Sequence, residues 1–97
     1  MYEIYPWQEG EVTHLLDIQH DMFSDFTTRI VVPLVPAGTF KPLTTLNPTI
    51  DVLGIPHTLV PQNMTAVPVS ALKNPIATAG PQRTEITAAI DRLFTGG

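Results

Sequence analysis

The 97-residue sequence contains no cysteine, few cations and no long apolar run. Without cysteine there is no disulfide framework, no thiolate nucleophile and no zinc–thiolate site, a composition that suits a reducing compartment. No stretch approaches the ~20 apolar residues that a membrane-spanning helix needs. The opening "MYEIYPWQEGEV" has neither the basic start nor the apolar core of a secretion signal, so a cytoplasmic location and no membrane partner are expected. Positive charge is confined to Arg29, Lys41, Lys73, Arg83 and Arg92, against nine Asp and Glu, for a net charge of −4. Scattered cations make a poor footprint for phosphate, so direct nucleic-acid binding is disfavoured. A Gly-rich phosphate loop, a Gly-x-Ser-x-Gly elbow and a His-x-x-x-His pair are also missing. No catalytic residue, metal ligand or cofactor is therefore assigned.

Hydrophobic residues make up 43% of the chain and charged ones 14%, enough apolar material for one folded domain with a single core. Ten prolines run from Pro6 to Pro81 and none follows, which divides the chain into a Pro-punctuated body and a Pro-free end. In the body, "EIY", "HLLDIQ" (14–19), "RIVVPLV" (29–35), "PTIDVLG" (48–54), "PHTLVP" (56–61) and "TAVPVSAL" (65–72) are short, β-branched-rich runs bounded by turn residues. Their spacing predicts a small barrel or sandwich. Pro33 and Pro68 fall inside two runs, and a missing N–H there predicts a bend or an edge. Gly54 in "LGIPH" marks a hairpin. Segments 36–48 and 73–81 read as loops, the first with one helical turn at most.

From Gly80 the period changes. Gly80 is placed as N-cap and Pro81 as the first helical residue, followed by Ile86, Ala89, Ile90, Leu93 and Phe94 at i, i+3, i+4, i+7 and i+8. Phe94 lies at the edge of this stripe and Asp91 just beyond it, giving the helix a core face and a mixed shoulder. For Phe94, core packing and a contact role weigh equally.

His14 and His20 have a spacing that would put both on one face of an uninterrupted strand, but with His57 they read as ordinary histidines. Asp17, Asp21 and Asp25 in "DIQHDMFSD" read as solvated carboxylates. In "MFSDF" three large apolar side chains crowd a polar stretch. Phe26 is expected to tuck into the core, whereas Met22 and Phe23 cannot both point inward from an extended chain, which leaves one exposed for use.

The succession "LLDIQHDMF", "TRIVVPLVP", "NMTAVPVSAL" and "EITAAIDRLFTGG" resembles, in order and spacing, the CcdB toxins of bacterial toxin–antitoxin pairs, over nearly the whole chain except 37–59. The resemblance implies a mainly β, SH3-like barrel of about residues 1–79 with one C-terminal α-helix at about 81–95. It also implies a two-fold homodimer that poisons DNA gyrase, its paired C-termini entering the gyrase A subunit dimer and trapping cleaved DNA, with neutralisation by a CcdA-type antitoxin. Carried over by position, the gyrase-binding residues are Met22, Phe23, Asp91, Thr95, Gly96 and Gly97, and Leu93, Gly96 and Gly97 fall at the dimer interface. The best-known members end in Trp-Gly-Ile, whereas this chain ends Thr95-Gly96-Gly97. Two alternatives stay open: a dimeric binding module that keeps the fold and has lost gyrase poisoning, and a MazF-like messenger-RNA interferase.

Overall fold

A computed structural model describes residues 1–96. Seven strands, β1 (Glu3–Glu9), β2 (Val12–Asp17), β3 (Thr28–Pro36), β4 (Thr49–Val52), β5 (Ile55–Leu59), β6 (Thr65–Pro68) and β7 (Ala77–Thr78), precede one helix, α1 (Arg83–Thr95). Every pairing is antiparallel, in the order β4-β5-β3-β2-β1-β7, with β6 joined to β3 beside this path. The sheet curls into a nearly closed barrel, and α1 packs across it against the turns at Pro61–Asn63 and Gly80–Gln82.

The doubled apolar residues of the central strands explain the curl. Neighbours on a strand point to opposite faces, yet Leu15 and Leu16 are both buried, as are Val31 and Val32. Leu16 and Val32 join Ile4, Leu34, Ile50, Leu59 and the helical Ile86 in the main core. Leu15 and Val31 face the other way and meet Val67 of β6, with Trp7, Val12 and Leu72 around them. A sheet apolar on both faces at its centre must wrap or be covered, and this one does both.

Pro33 shows how the barrel accommodates proline. β3 is no edge strand: it pairs with β2 along one side and, along the other, with β6 through Thr28–Val31 and then with β5 through Leu34–Pro36. The Pro33 carbonyl accepts the Val60 N–H at 3.0 Å, so the ring nitrogen faces that second side too. There it falls in the gap where the partner changes, and no ladder bond is lost. Pro68 ends β6, in keeping with an edge.

The hairpin expected at Gly54 is present as a two-residue turn, with φ of 52° at Leu53 and 84° at Gly54, the positive values that a tight turn matched to strand twist requires. Three boundaries differ from the sequence reading. β1 runs on through Pro6 and Trp7 to Glu9, its ladder with β2 broken between Pro6 and Glu9, and Gly10 turns the chain into β2. The run at 65–72 stops as strand at Pro68 and becomes a tight 3-10 turn. Gly80 and Pro81 do not open the helix, because Gly80–Gln82 form a 3-10 turn and α1 begins at Arg83. The side chain of Gln82 is engaged elsewhere: its Oε1 accepts the Asp51 N–H at 2.9 Å and its Nε2 donates to the Thr49 carbonyl at 2.8 Å, so it pairs with the β4 edge as a peptide group would.

Candidate functional site

The residues singled out for contact lie on two elements, the loop after β2 and the last turns of α1. Ile86 and Ala89 of the helix stripe are fully buried, Ile90 and Leu93 half-buried, and Phe94 is 71% exposed. The stripe ends one residue early because the barrel ends there. Asp91 and Thr95 point outward beside it, and the Thr95 hydroxyl donates to the Asp91 carbonyl at 2.7 Å. Gly96 ends the helix at φ 74°, with its N–H on the Arg92 carbonyl at 2.8 Å. That left-handed cap suits glycine because no Cβ strains it. Gly97 lies outside the described residues.

In the loop, Asp21–Phe23 form one 3-10 turn. His20 caps it, its Nδ1 accepting the Met22 N–H at 3.0 Å. β2 ends before His20, so His14 and His20 do not share a strand face. Met22 is 74% exposed and Phe23 43%. Phe26 does not tuck inward: it is 58% exposed and lies against the Phe23 ring at a centroid distance of 5.5 Å. The turn directs both rings to the same outer side, where each shelters the other.

Beneath this loop lies a polar frame, and at Asp17 it corrects the reading of the acids as solvated. Asp17 is 2% exposed and accepts Arg29 Nε at 2.9 Å and Nη2 at 2.8 Å. Arg29, itself 7% exposed, sends Nη2 on to the Gln19 carbonyl at 3.2 Å. A carboxylate buried that deeply needs such a partner. Asp21 is tied to the α-amino group of Met1 at 2.7 Å, which also reaches Glu3 at 2.6 Å. Hydrogen bonding and the charge of that amino group hold the Asp21 carboxyl below its ordinary value. The tether is therefore complete above about pH 4 and is released as acid protonates Asp21. Partial burial acts to lower the α-amino pKa, but the bonds from Asp21 and Glu3 outweigh it and raise it. Asp21, its side chain 75% exposed despite this tether, and Asp25 remain surface acids.

The N-terminal residues join the two elements. Met1 holds the turn through Asp21, while Tyr2 turns back with φ 69°, donates its N–H to the Asp17 carbonyl at 2.6 Å and shares a 3.4 Å hydrogen bond between its hydroxyl and Thr87 of α1. Positive φ is uncommon for an aromatic residue and is held by its surroundings. A shallow groove of about 440 Å³ runs from Tyr2 past Thr87 to Asp91. A second, of about 670 Å³, continues from Asp91 to Thr95. Tyr2, Thr87, Asp91 and Thr95 thus line one continuous stretch of surface, and Met1 ties to it the Asp21–Phe23 turn that carries Met22; the sequence reading named Met22, Asp91 and Thr95 and missed the N-terminal bridge.

His14 and His57 meet away from this surface, edge to face at 5.0 Å. Burial, then the nearby His57, hold the His14 pKa below its ordinary value. Among the described residues no group of three or more His, Cys, Asp or Glu is placed to hold a metal ion. No helix among them is long and apolar enough to cross a membrane.

A curled antiparallel barrel with one terminal helix is the fold of the CcdB- and MazF-like toxins. The Mycobacterium tuberculosis toxin MazF-mt6 matches with a TM-score of 0.77 over 95% of each chain at 21% identity, a likeness that speaks for the fold alone. The sequence profile described as "CcdB protein" matches residues 1–96, so the chain belongs to the CcdB family, and its class is that of the toxins of toxin–antitoxin pairs. No curated protein sequence matches it.

Proposed function

We propose that this chain is a non-enzymatic toxin that acts as a homodimer on the DNA gyrase A subunit, trapping the cleaved-DNA complex, and that a CcdA-type antitoxin neutralises it. The single observation that carries this reading is the connected surface running from Met22 and Phe23 across the N-terminal residues to Asp91 and Thr95. Exposed apolar side chains on a rigid frame are what a protein-binding surface needs, because little order is left to impose on association. Gly96, and Gly97 beyond it, would lie where the two helix ends of the dimer meet, with Leu93 at the interface. The terminus lacks the tryptophan of well-known members, a residue type whose loss from an interface costs ~2 kcal/mol or more, roughly thirtyfold in affinity. The apolar trio of Met22, Phe23 and Phe26 offers replacement area elsewhere on the proposed surface.

The test is induction in a gyrase-sensitive bacterium, together with capture of the gyrase A subunit by purified protein. Growth arrest with a DNA-damage response is expected, and deletion of Gly96 and Gly97 should abolish it with the protein still folded and soluble. Normal growth at high soluble expression would refute gyrase poisoning. Antitoxin binding without gyrase binding would instead identify a module that keeps the fold and not the activity.

A further inference from the structure

We infer that Gln19 is the positioning residue of the proposed contact surface, setting affinity for the gyrase A subunit without itself touching it; this rests on the reading of Met22 and Phe23 given above. Gln19 follows β2 by two residues and is half-buried. It makes four hydrogen bonds, to four different residues. Its N–H donates to Asp17 Oδ1 at 2.9 Å and its carbonyl accepts Arg29 Nη2 at 3.2 Å, which fixes its backbone to the buried ion pair. Its side chain then reaches both ways: Oε1 accepts the Ile30 N–H at 3.0 Å and Nε2 donates to the Phe23 carbonyl at 3.0 Å.

The Phe23 carbonyl also accepts the Phe26 N–H, at 3.2 Å. One carbonyl thus gathers the turn that presents Met22 and Phe23 and the bend that brings Phe26 onto the Phe23 ring, and Gln19 anchors that carbonyl to β3. None of residues 20–28 is buried, so apolar packing does little to hold this loop, and its order depends on such polar anchors. The role calls for one acceptor and one donor at this reach. Asparagine is a methylene too short, glutamate has no N–H for the Phe23 carbonyl, and methionine matches the length while offering neither. A loosened turn would have to be re-ordered on binding, which lowers affinity without removing any contact atom.

The test compares Gln19→Met and Gln19→Glu with Met22→Ser and Phe23→Ser in the full chain, reading binding of the gyrase A subunit and amide hydrogen exchange. Both Gln19 variants should speed exchange at Phe23, Ser24 and Phe26 and weaken gyrase A binding about tenfold, Gln19→Met also freeing the Ile30 amide that it leaves without an acceptor, with exchange of the other β2 and β3 amides and the melting temperature unchanged. Unaltered exchange at those amides would overturn the inference. So would unaltered gyrase A binding where Met22→Ser weakens it, or loss of protection throughout the barrel. If Met22→Ser and Phe23→Ser leave gyrase A binding intact, the contact reading fails, and local exchange in the Gln19 variants still decides whether Gln19 holds the turn.

Discussion

At the scale of single residues, Arg29 and His14 give the sharpest expectations. Arg29→Met removes the guanidinium and leaves the Asp17 carboxylate buried without its counter-charge. Such a loss costs ~3–5 kcal/mol, to be read by urea unfolding. For His14, the folded state holds the pKa below its ordinary 6.5, so the unfolded chain binds more protons as the medium turns acid. Stability should be flat above about pH 6.5 and decline as pH falls through the folded-state value, and His14→Gln should flatten that decline in melting curves. Part of this was legible. That one of Met22 and Phe23 is exposed follows from two large apolar neighbours in a polar stretch; that both are does not, because it takes the 3-10 turn to bring them to the outer side. The burial of Asp17 does not, because its partner lies twelve residues away across a strand pair and nothing local marks the two as facing. Phe26 was misplaced for the same reason: the 3-10 turn that swings it onto Phe23 depends on His20, Asp21 and Gln19 acting together.

Among the elements, α1 separates packing from presentation along a single helix. Ile86→Ala empties a fully buried site in the main core and should cost ~2–5 kcal/mol. Phe94→Ala should shift stability by less than ~0.5 kcal/mol, since its ring has little contact to lose. Denaturant titration of both variants checks the contrast, and a large effect at Phe94 would mean that the ring is covered in solution. The 3.6-residue period fixed the helix face correctly because Ile86, Ala89 and Ile90 all meet the barrel. It could not fix the helix start. Gly80 and Pro81 satisfy every local rule for an N-terminus, but the distant β4 edge offers the Gln82 amide two backbone partners. β7 escaped notice because two residues carry no alternation; it exists only because β1 has an edge to complete.

At the scale of the whole molecule, charge bears on the ribonuclease alternative and curvature on strand order. One of the five cations, Arg29, is committed to a buried ion pair, which leaves Lys41, Lys73, Arg83 and Arg92 at the surface. Four separated charges on an acidic protein give a weak grip on phosphate. Incubation of purified protein with total cellular RNA should therefore leave the RNA uncut, and specific fragments would restore the ribonuclease alternative. Fold class was legible from the strand spacing and the terminal helix, but strand order was not, since β3 pairs with three neighbours and only the curled sheet reveals it. That arrangement makes β3 a keyed spindle. Slipping it by one position would aim a nitrogen that cannot donate at β2 and leave a good donor facing the gap between β6 and β5. The sheet thus has a single way to zip, secured by the residue type usually held responsible for breaking sheets.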